Sequence, residues 1–220
     1  MINFEGDSRH FYRILRPLKN RHGSTLELGV FEMSASGLHG VENPSAMFLS
    51  DYGDVNRSGA VVAACGEGNR SILVEIQALV APSSYGTPQR VAGGIDNKRL
   101  ALLIAILEKR LGIPMGSSDV FVSVAGGLRL SEPASDLAIT AVMVSSLRDM
   151  PIDSKTVVVG EVGLSGEVRP VSMVENRISE AGKLGFSRII IPDQSIDSAP
   201  GNKIEIIKVR TLEKTLETLF

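Results

Sequence analysis

Val120-Phe121-Val122-Ser123-Val124-Ala125-Gly126-Gly127-Leu128, Glu132-Pro133-Ala134-Ser135-Asp136-Leu137-Ala138 and Gly160-Glu161-Val162-Gly163-Leu164-Ser165-Gly166-Glu167-Val168-Arg169-Pro170-Val171 are the stretches that decide the fold. The first is a short β-branched run with valine at every second position, the pattern of a strand, and a double glycine ends it. The second reads as a helix start, with Pro133 in the first turn behind Ser131 and Glu132. The third is glycine-punctuated and β-rich. Working outward, Ala60 to Cys65 and Ser71 to Val80 are strands joined by the hairpin signature Gly66-Glu67-Gly68-Asn69. Asn97 to Leu111 predicts a helix with apolar residues on most faces, hence a buried one. Thr156 to Val162, Arg188 to Ile191 and Ile204 to Val209 are further β-branched runs. A helix from Met173 to Leu184 is stopped by Gly185, a good C-terminal cap, and Ser172-x-x-Glu175 has the spacing of a capping box at its start. This mixed order of elements predicts an α+β (mixed α/β) domain over residues 59–220.

Upstream lies a different region. Residues 1–50 read as a β-hairpin: a strand near 10–18, a polar turn Asn20-Arg21-His22-Gly23-Ser24, and a second strand from Glu27 to Met33. Residues 51–58, polar and glycine-containing, read as a linker. A strand that arrives so early, with no element before it to pair with, implies that the chain begins inside a domain.

Composition narrows the function classes. The 220 residues are 43% hydrophobic and 22% charged, the balance of a soluble globular protein with a core. A net charge of −2 gives no global attraction to nucleic acid or anionic membranes, so any basic surface is local. The longest apolar run, near Leu100 to Leu107, falls far short of the roughly 20 residues that span a bilayer. One cysteine, Cys65, excludes an internal disulfide and a cysteine-rich zinc site, which suits a cytoplasmic location. No Gly-x-x-x-x-Gly-Lys-[Ser/Thr] occurs, so this chain alone carries no P-loop and is not expected to hydrolyse ATP.

Arg9 to Arg21 holds five basic residues and no acid. Basic residues at a solvent-exposed turn can reach a phosphate, or can simply solvate an edge strand and discourage aggregation. The run Tyr12-Arg-Ile-Leu-Arg-Pro-Leu-Lys-Asn-Arg-His-Gly-Ser-Thr25, followed by Gly29-Val-Phe-Glu-Met33, resembles the RadA (Sms) family of bacterial DNA-repair proteins. Lys19, Asn20, Arg21 and Gly23 match that family's Lys-Asn-Arg-Phe-Gly motif, while His22 stands where the family has phenylalanine. The resemblance implies that residues 1–50 are the end of a RecA-like ATPase domain, and that the motif couples ATP use to DNA processing. It also implies a parent protein with a P-loop ATPase and a four-cysteine zinc module, and so ATP, Mg and Zn as cofactors of that parent.

Residues 59–195 resemble the proteolytic domain of Lon-type proteases, whose Ser–Lys dyad needs a neutral lysine to take the serine proton. Carried over, the serine position falls on Ala134 and the lysine position on Glu175, so the resemblance implies a Lon-protease-like fold without the dyad. Ser135, Ser131 and Lys155 are loose replacements, and Ser135 is rotated about 100° from the old direction on a helix. Lon domains form hexameric rings. The resemblance therefore implies a homo-oligomer, DNA as partner, a possible meeting with the RecA recombinase, and a part in branch migration of recombination intermediates. Lys98, Arg99, Arg129 and Arg148 are the DNA-contact candidates of this domain; each is equally readable as a solvated surface cation. Two other readings stand beside this one: a Lon-like serine peptidase with a displaced nucleophile, and a passive ring-forming scaffold.

Overall fold

The computed structural model describes residues 1–5, 12–17, 19, 21, 29–41, 43–49, 56–68, 70–83, 86–194, 196 and 204–220. A seven-stranded mixed sheet organises most of them. Its strands in chain order are β5 (Ala60–Glu67), β6 (Arg70–Pro82), β7 (Arg90–Gly93), β8 (Ser118–Val124), β9 (Thr156–Val158), β12 (Arg188–Pro192) and β13 (Glu205–Val209). Their spatial order is β13-β12-β9-β5-β6-β8-β7. Only the pairs β5–β6 and β6–β8 are antiparallel; the other four neighbours run parallel.

Strand periodicity sorts the side chains between two apolar clusters. On β5, Val61, Ala63 and Cys65 enter the larger cluster, whereas Val62 and Ala64 enter the smaller one on the opposite face. The larger cluster is closed by α2 (Asn97–Leu111), α3 (Asp136–Arg148) and α5 (Leu212–Leu219), which contribute Leu103, Leu137 and Leu216 among others. The smaller is closed by α4 (Val174–Lys183) through Val174, Ile178 and Ala181.

Four sequence expectations are corrected here. Helix α2 is not buried on most faces: Leu100, Leu103, Ile104, Ile106 and Leu107 are buried while Ala101 and Ala105 are exposed. Alanine is apolar but small, and burying it is not required to hide a stripe of leucines. The capping box at Ser172 does not form. The residue preceding α4 is Met173, which is left-handed (φ +53°) and makes no side-chain cap bond, so the helix starts one residue later. Gly185 does act as expected: at φ +78° it lets Gly185 N donate to Gly182 O and Phe186 N to Ala181 O, the paired bonds of a Schellman end. Strand β7 and helix α5 were not read from the sequence.

The N-terminal region is the fourth correction. A preceding strand, β1 (Ile2–Glu5), pairs antiparallel with β2 (Tyr12–Pro17), so the early strand does have an earlier partner. With β3 (Gly29–Ser34) and β4 (Gly37–Gly40) they form an antiparallel sheet in chain order. After it, α1 (Pro44–Met47) lies along the half of β6 that β8 does not reach. Leu73 N donates to Ser45 Oγ at 3.0 Å and Glu75 N to Phe48 O at 3.0 Å, satisfying amides of an otherwise open edge. Residues 51–55 of the expected linker lie outside the described residues. No helix among the described residues is long and apolar enough to cross a membrane.

Candidate functional site

The three opening stretches meet at one end of the sheet. Strand β8 ends in a 3-10 turn at Ala125–Gly127, where Gly126 and Gly127 both take positive φ. The loop that follows is stitched to the start of α2: Leu130 N donates to Gly94 O at 2.8 Å. Gly94, at φ +87°, has the Leu128 carbonyl oxygen 2.4 Å from where a Cβ would stand, so only glycine fits this crossing. A second 3-10 turn, Pro133–Ser135, then delivers the chain into α3, with Pro133 in its first turn as expected.

Ala134 is 4% exposed and packs in the smaller cluster with Val62, Ala64 and Val174. Its carbonyl accepts from Gly160 N at 2.8 Å, and Gly160 O accepts from Leu137 N at 3.0 Å, locking the turn to the chain just after β9. Val174 precedes Glu175, so Ala134 and the start of α4 share one apolar cluster. The same two elements are joined by a buried ion pair. Arg177, fully buried, donates from Nη1 to Glu132 Oε1 and from Nη2 to Glu132 Oε2, both at 2.8 Å. The same guanidinium donates to Ser172 O at 3.0 Å and to Ala64 O, while Gly66 N donates to Glu132 Oε1. Bidentate geometry with the remaining donors satisfied is the condition under which a buried charge pair holds.

The sequence reading missed this pair, although a signal was present. Arg177 lies three residues after Val174 and four before Ala181, on the same stripe as Ile178. An arginine on the buried stripe of a helix demands an acid somewhere opposite it.

The replacement nucleophiles are placed as follows. Ser135 is 2% exposed and its Oγ donates to Glu132 O at 3.2 Å. Ser131 is exposed. Lys155 lies before β9, whereas the turn contacts Gly160 beyond its other end.

Beside the turn, a cavity of about 380 Å³ is lined by Asp96, Arg99, Leu130, Ser131, Glu132 and Asp136 among others. Its three acids are engaged. Asp96 caps α2 by accepting from Lys98 N and Arg99 N, Glu132 holds Arg177, and Asp136 holds Arg99. Arg99 Nε donates to Asp136 Oδ1 at 2.8 Å, its Nη2 also reaches Oδ2, and Val162 N donates to Oδ2 at 3.3 Å. Burial pushes the Asp136 carboxyl above the usual carboxylate range, against the hydrogen bonds and charge of Arg99, while the bond to Asp136 raises Arg99. So Arg99 is spoken for by a structural pair, with 30% of its side chain exposed. Lys98 and Arg129 are exposed near the same rim. Arg148 ends α3, about 20 Å of helix away from Asp136, and does not join them.

Comparison with known proteins settles the family. The DNA repair protein RadA of Halalkalibacterium halodurans is 49% identical over 218 residues, covering 99% of this chain and 48% of its own. That of Bacillus subtilis is 49% identical over 219 residues, again with 99% and 48% coverage. That of Pseudomonas aeruginosa is 47% identical over 220 residues, covering 100% and 48%. Over its whole length the chain belongs to the RadA family. It spans about half the length of these curated RadA relatives. Residues 96–195 also match the family model described as subunit ChlI of Mg-chelatase. That match starts at the α2 cap Asp96 and takes in the Glu132 turn, Arg177 and the Asp136–Arg99 pair. Of the RadA motif at the N-terminal turn, Lys19 and Arg21 are exposed, and Lys19 N donates to Met1 O at 3.1 Å. Asn20 and Gly23 lie outside the described residues.

Proposed function

We propose that this chain is the DNA-engaging and oligomer-forming module of a DNA-dependent ATPase that processes recombination intermediates by branch migration during repair. The observation that carries the reading is near-complete coverage of the chain by relatives named DNA repair protein RadA at 42–50% identity. In this reading residues 1–50 finish a RecA-like domain, residues 51–58 link, and residues 59–220 are a Lon-like scaffold. Ala134 and Glu175 take the serine and lysine positions there, and the Glu132–Arg177 pair occupies what would be the dyad's surroundings. The scaffold holds ATPase subunits in a ring, and Lys19, Asn20, Arg21 and Gly23 couple nucleotide to DNA. ATP and Mg act in the part of the parent that this chain does not span, Zn in a further module, and the RecA recombinase is a partner of the whole. The setting is cytoplasmic.

Light scattering with a labelled single-stranded oligonucleotide across a salt series tests this. The expected mass is that of about six chains, the hexameric closure of a ring. DNA affinity should fall linearly in log–log terms with salt, and Lys19→Ala with Arg21→Ala should weaken binding and flatten the slope by about two phosphate contacts. A monomer indifferent to DNA would remove the reading. Lys98 and Arg129 are the next residues to vary. Arg99 is a poorer probe, because its loss also strands the buried Asp136. A displaced-nucleophile peptidase predicts labelling of Ser135 or Ser131 by a fluorophosphonate. None is expected, since the Ser135 hydroxyl is buried and spends its proton on a backbone carbonyl.

A further inference from the structure

A second cavity, of about 500 Å³, opens between the start of α1, the start of β6 and the last turns of α4. Arg70, Ser71, Glu180 and Lys183 are among its polar lining residues, with three amide or hydroxyl side chains beside them. The two cations are exposed and, among the described residues, make no ion pair or side-chain hydrogen bond. The one acid is turned aside: Glu180 Oε1 accepts from Ser45 Oγ at 2.8 Å. Most telling is Ser71. It is 8% exposed, and its Oγ is buried with no hydrogen-bond partner among the described residues. Buried hydroxyls are nearly always satisfied, so an orphan on a cavity wall calls for a ligand atom that can complete it.

We propose that this cavity binds a phosphate group, contributed by a nucleic-acid strand or by a free phosphoester. Arg70 and Lys183 supply charge-assisted donors from two sides, and the Ser71 hydroxyl supplies a neutral donor from the wall. Among the lining residues two cations face one carboxylate, and that carboxylate is already bonded to Ser45. The volume lies within the range of small-ligand sites, about 300–1,000 Å³, so a nucleotide-sized group fits. Solvated surface cations alone would account for Arg70 and Lys183, with Lys183 also favoured at the C-terminal end of α4. They do not account for the unpartnered hydroxyl between them. None of these residues belongs to the Lys19–Arg21 motif; with a strand phosphate the site deepens the DNA-engaging reading above, and its own variants test it separately.

Calorimetric titration with inorganic pyrophosphate at low salt, and fluorescence titration with a labelled single-stranded oligonucleotide, test the site. Pyrophosphate should bind the unaltered chain, and the double variant Arg70→Gln/Lys183→Gln should weaken it about tenfold or more, the scale of lost charge-assisted bonds. Ser71→Ala should also weaken pyrophosphate while leaving the thermal unfolding midpoint of the free protein unchanged or higher, which a merely structural serine would not do. If oligonucleotide binding weakens in parallel, the phosphate belongs to a strand. If only pyrophosphate binding weakens, it belongs to a small phosphoester. Absence of pyrophosphate binding at low millimolar concentration, or equal binding by the variants, overturns the site. The Lys19→Ala/Arg21→Ala result is read separately, so the two proposals fail independently.

Discussion

Glu132→Ala should cost this fold about 3–5 kcal/mol, the loss seen when one partner of a buried ion pair is removed. The change deletes the acceptor of two Arg177 donors and of Gly66 N, and it leaves a guanidinium that is 0% exposed without a counter-charge. In the intact protein Arg177 is screened from water, with Glu132 between it and the cavity of about 380 Å³. Arg177→Met should cost less, because the stranded Glu132 carboxylate keeps 22% exposure and can be hydrated. Replacing both with apolar residues, Glu132→Leu/Arg177→Met, should recover much of the loss, as apolar substitutes for buried pairs generally do. Urea unfolding of the three variants measures this as a double-mutant cycle. Equal costs for the two single variants, or a loss under about 1 kcal/mol for Glu132→Ala, would mean that the pair is incidental.

Leu137→Ala carries the second large effect, a loss of about 2–5 kcal/mol from lost burial and an unfilled cavity. Leu137 is fully buried in the first turn of α3 and lies against Gly160, where a Cβ would sit 3.0 Å from Leu137 Cδ2. Its truncation therefore opens space at the junction that also positions Ala134. Leu164, 60% exposed on the β10–β11 turn (β10, Glu161–Val162; β11, Val168–Arg169), is the matching control. Leu164→Ala should shift stability by no more than about 0.5 kcal/mol. A Leu137→Ala protein with an unchanged thermal midpoint would show that the turn is not held from beneath.

Both effects bear on function through one physical point. The turn around Ala134 and the chain after β9 are among the most tightly bonded parts of the described residues. The bonds Gly160 N to Ala134 O and Leu137 N to Gly160 O, a bidentate buried pair and the Asp96 cap on α2 leave little freedom for chemistry there. They suit a rigid element instead.

The readings that held came from local signals. The β5–β6 hairpin was legible because two β-rich runs flank Gly66-Glu67-Gly68-Asn69, and β8 because valine recurs at every second position before a double glycine. Helix α2 was legible from its leucine stripe, and Pro133 and Gly185 marked a start and a stop through dihedral limits that belong to those residues alone. The family was also legible in the Lys19–Gly23 motif, where short-range identity needs no fold. Readings failed where local rules competed with packing. Ser172-x-x-Glu175 has the spacing of a cap, yet Met173 turns left-handed there and Ser172 O is used by Arg177 instead. The helix 97–111 was overread because alanine counts as apolar wherever it points.

By itself, then, the sequence determined the family and the type of most elements, since each depends on residues near one another in the chain. Only the tertiary structure decided which distant groups share an environment. The strand order brings β9 between β5 and β12, Glu132 meets Arg177 across 45 residues, Asp136 meets Arg99 across 37, and α1 turns Ser45 toward Glu180. Periodicity carries no information about such pairs. They are fixed by the requirement that every buried charge and amide find a partner once the apolar faces have closed, and the unpartnered Ser71 hydroxyl is visible only against that requirement.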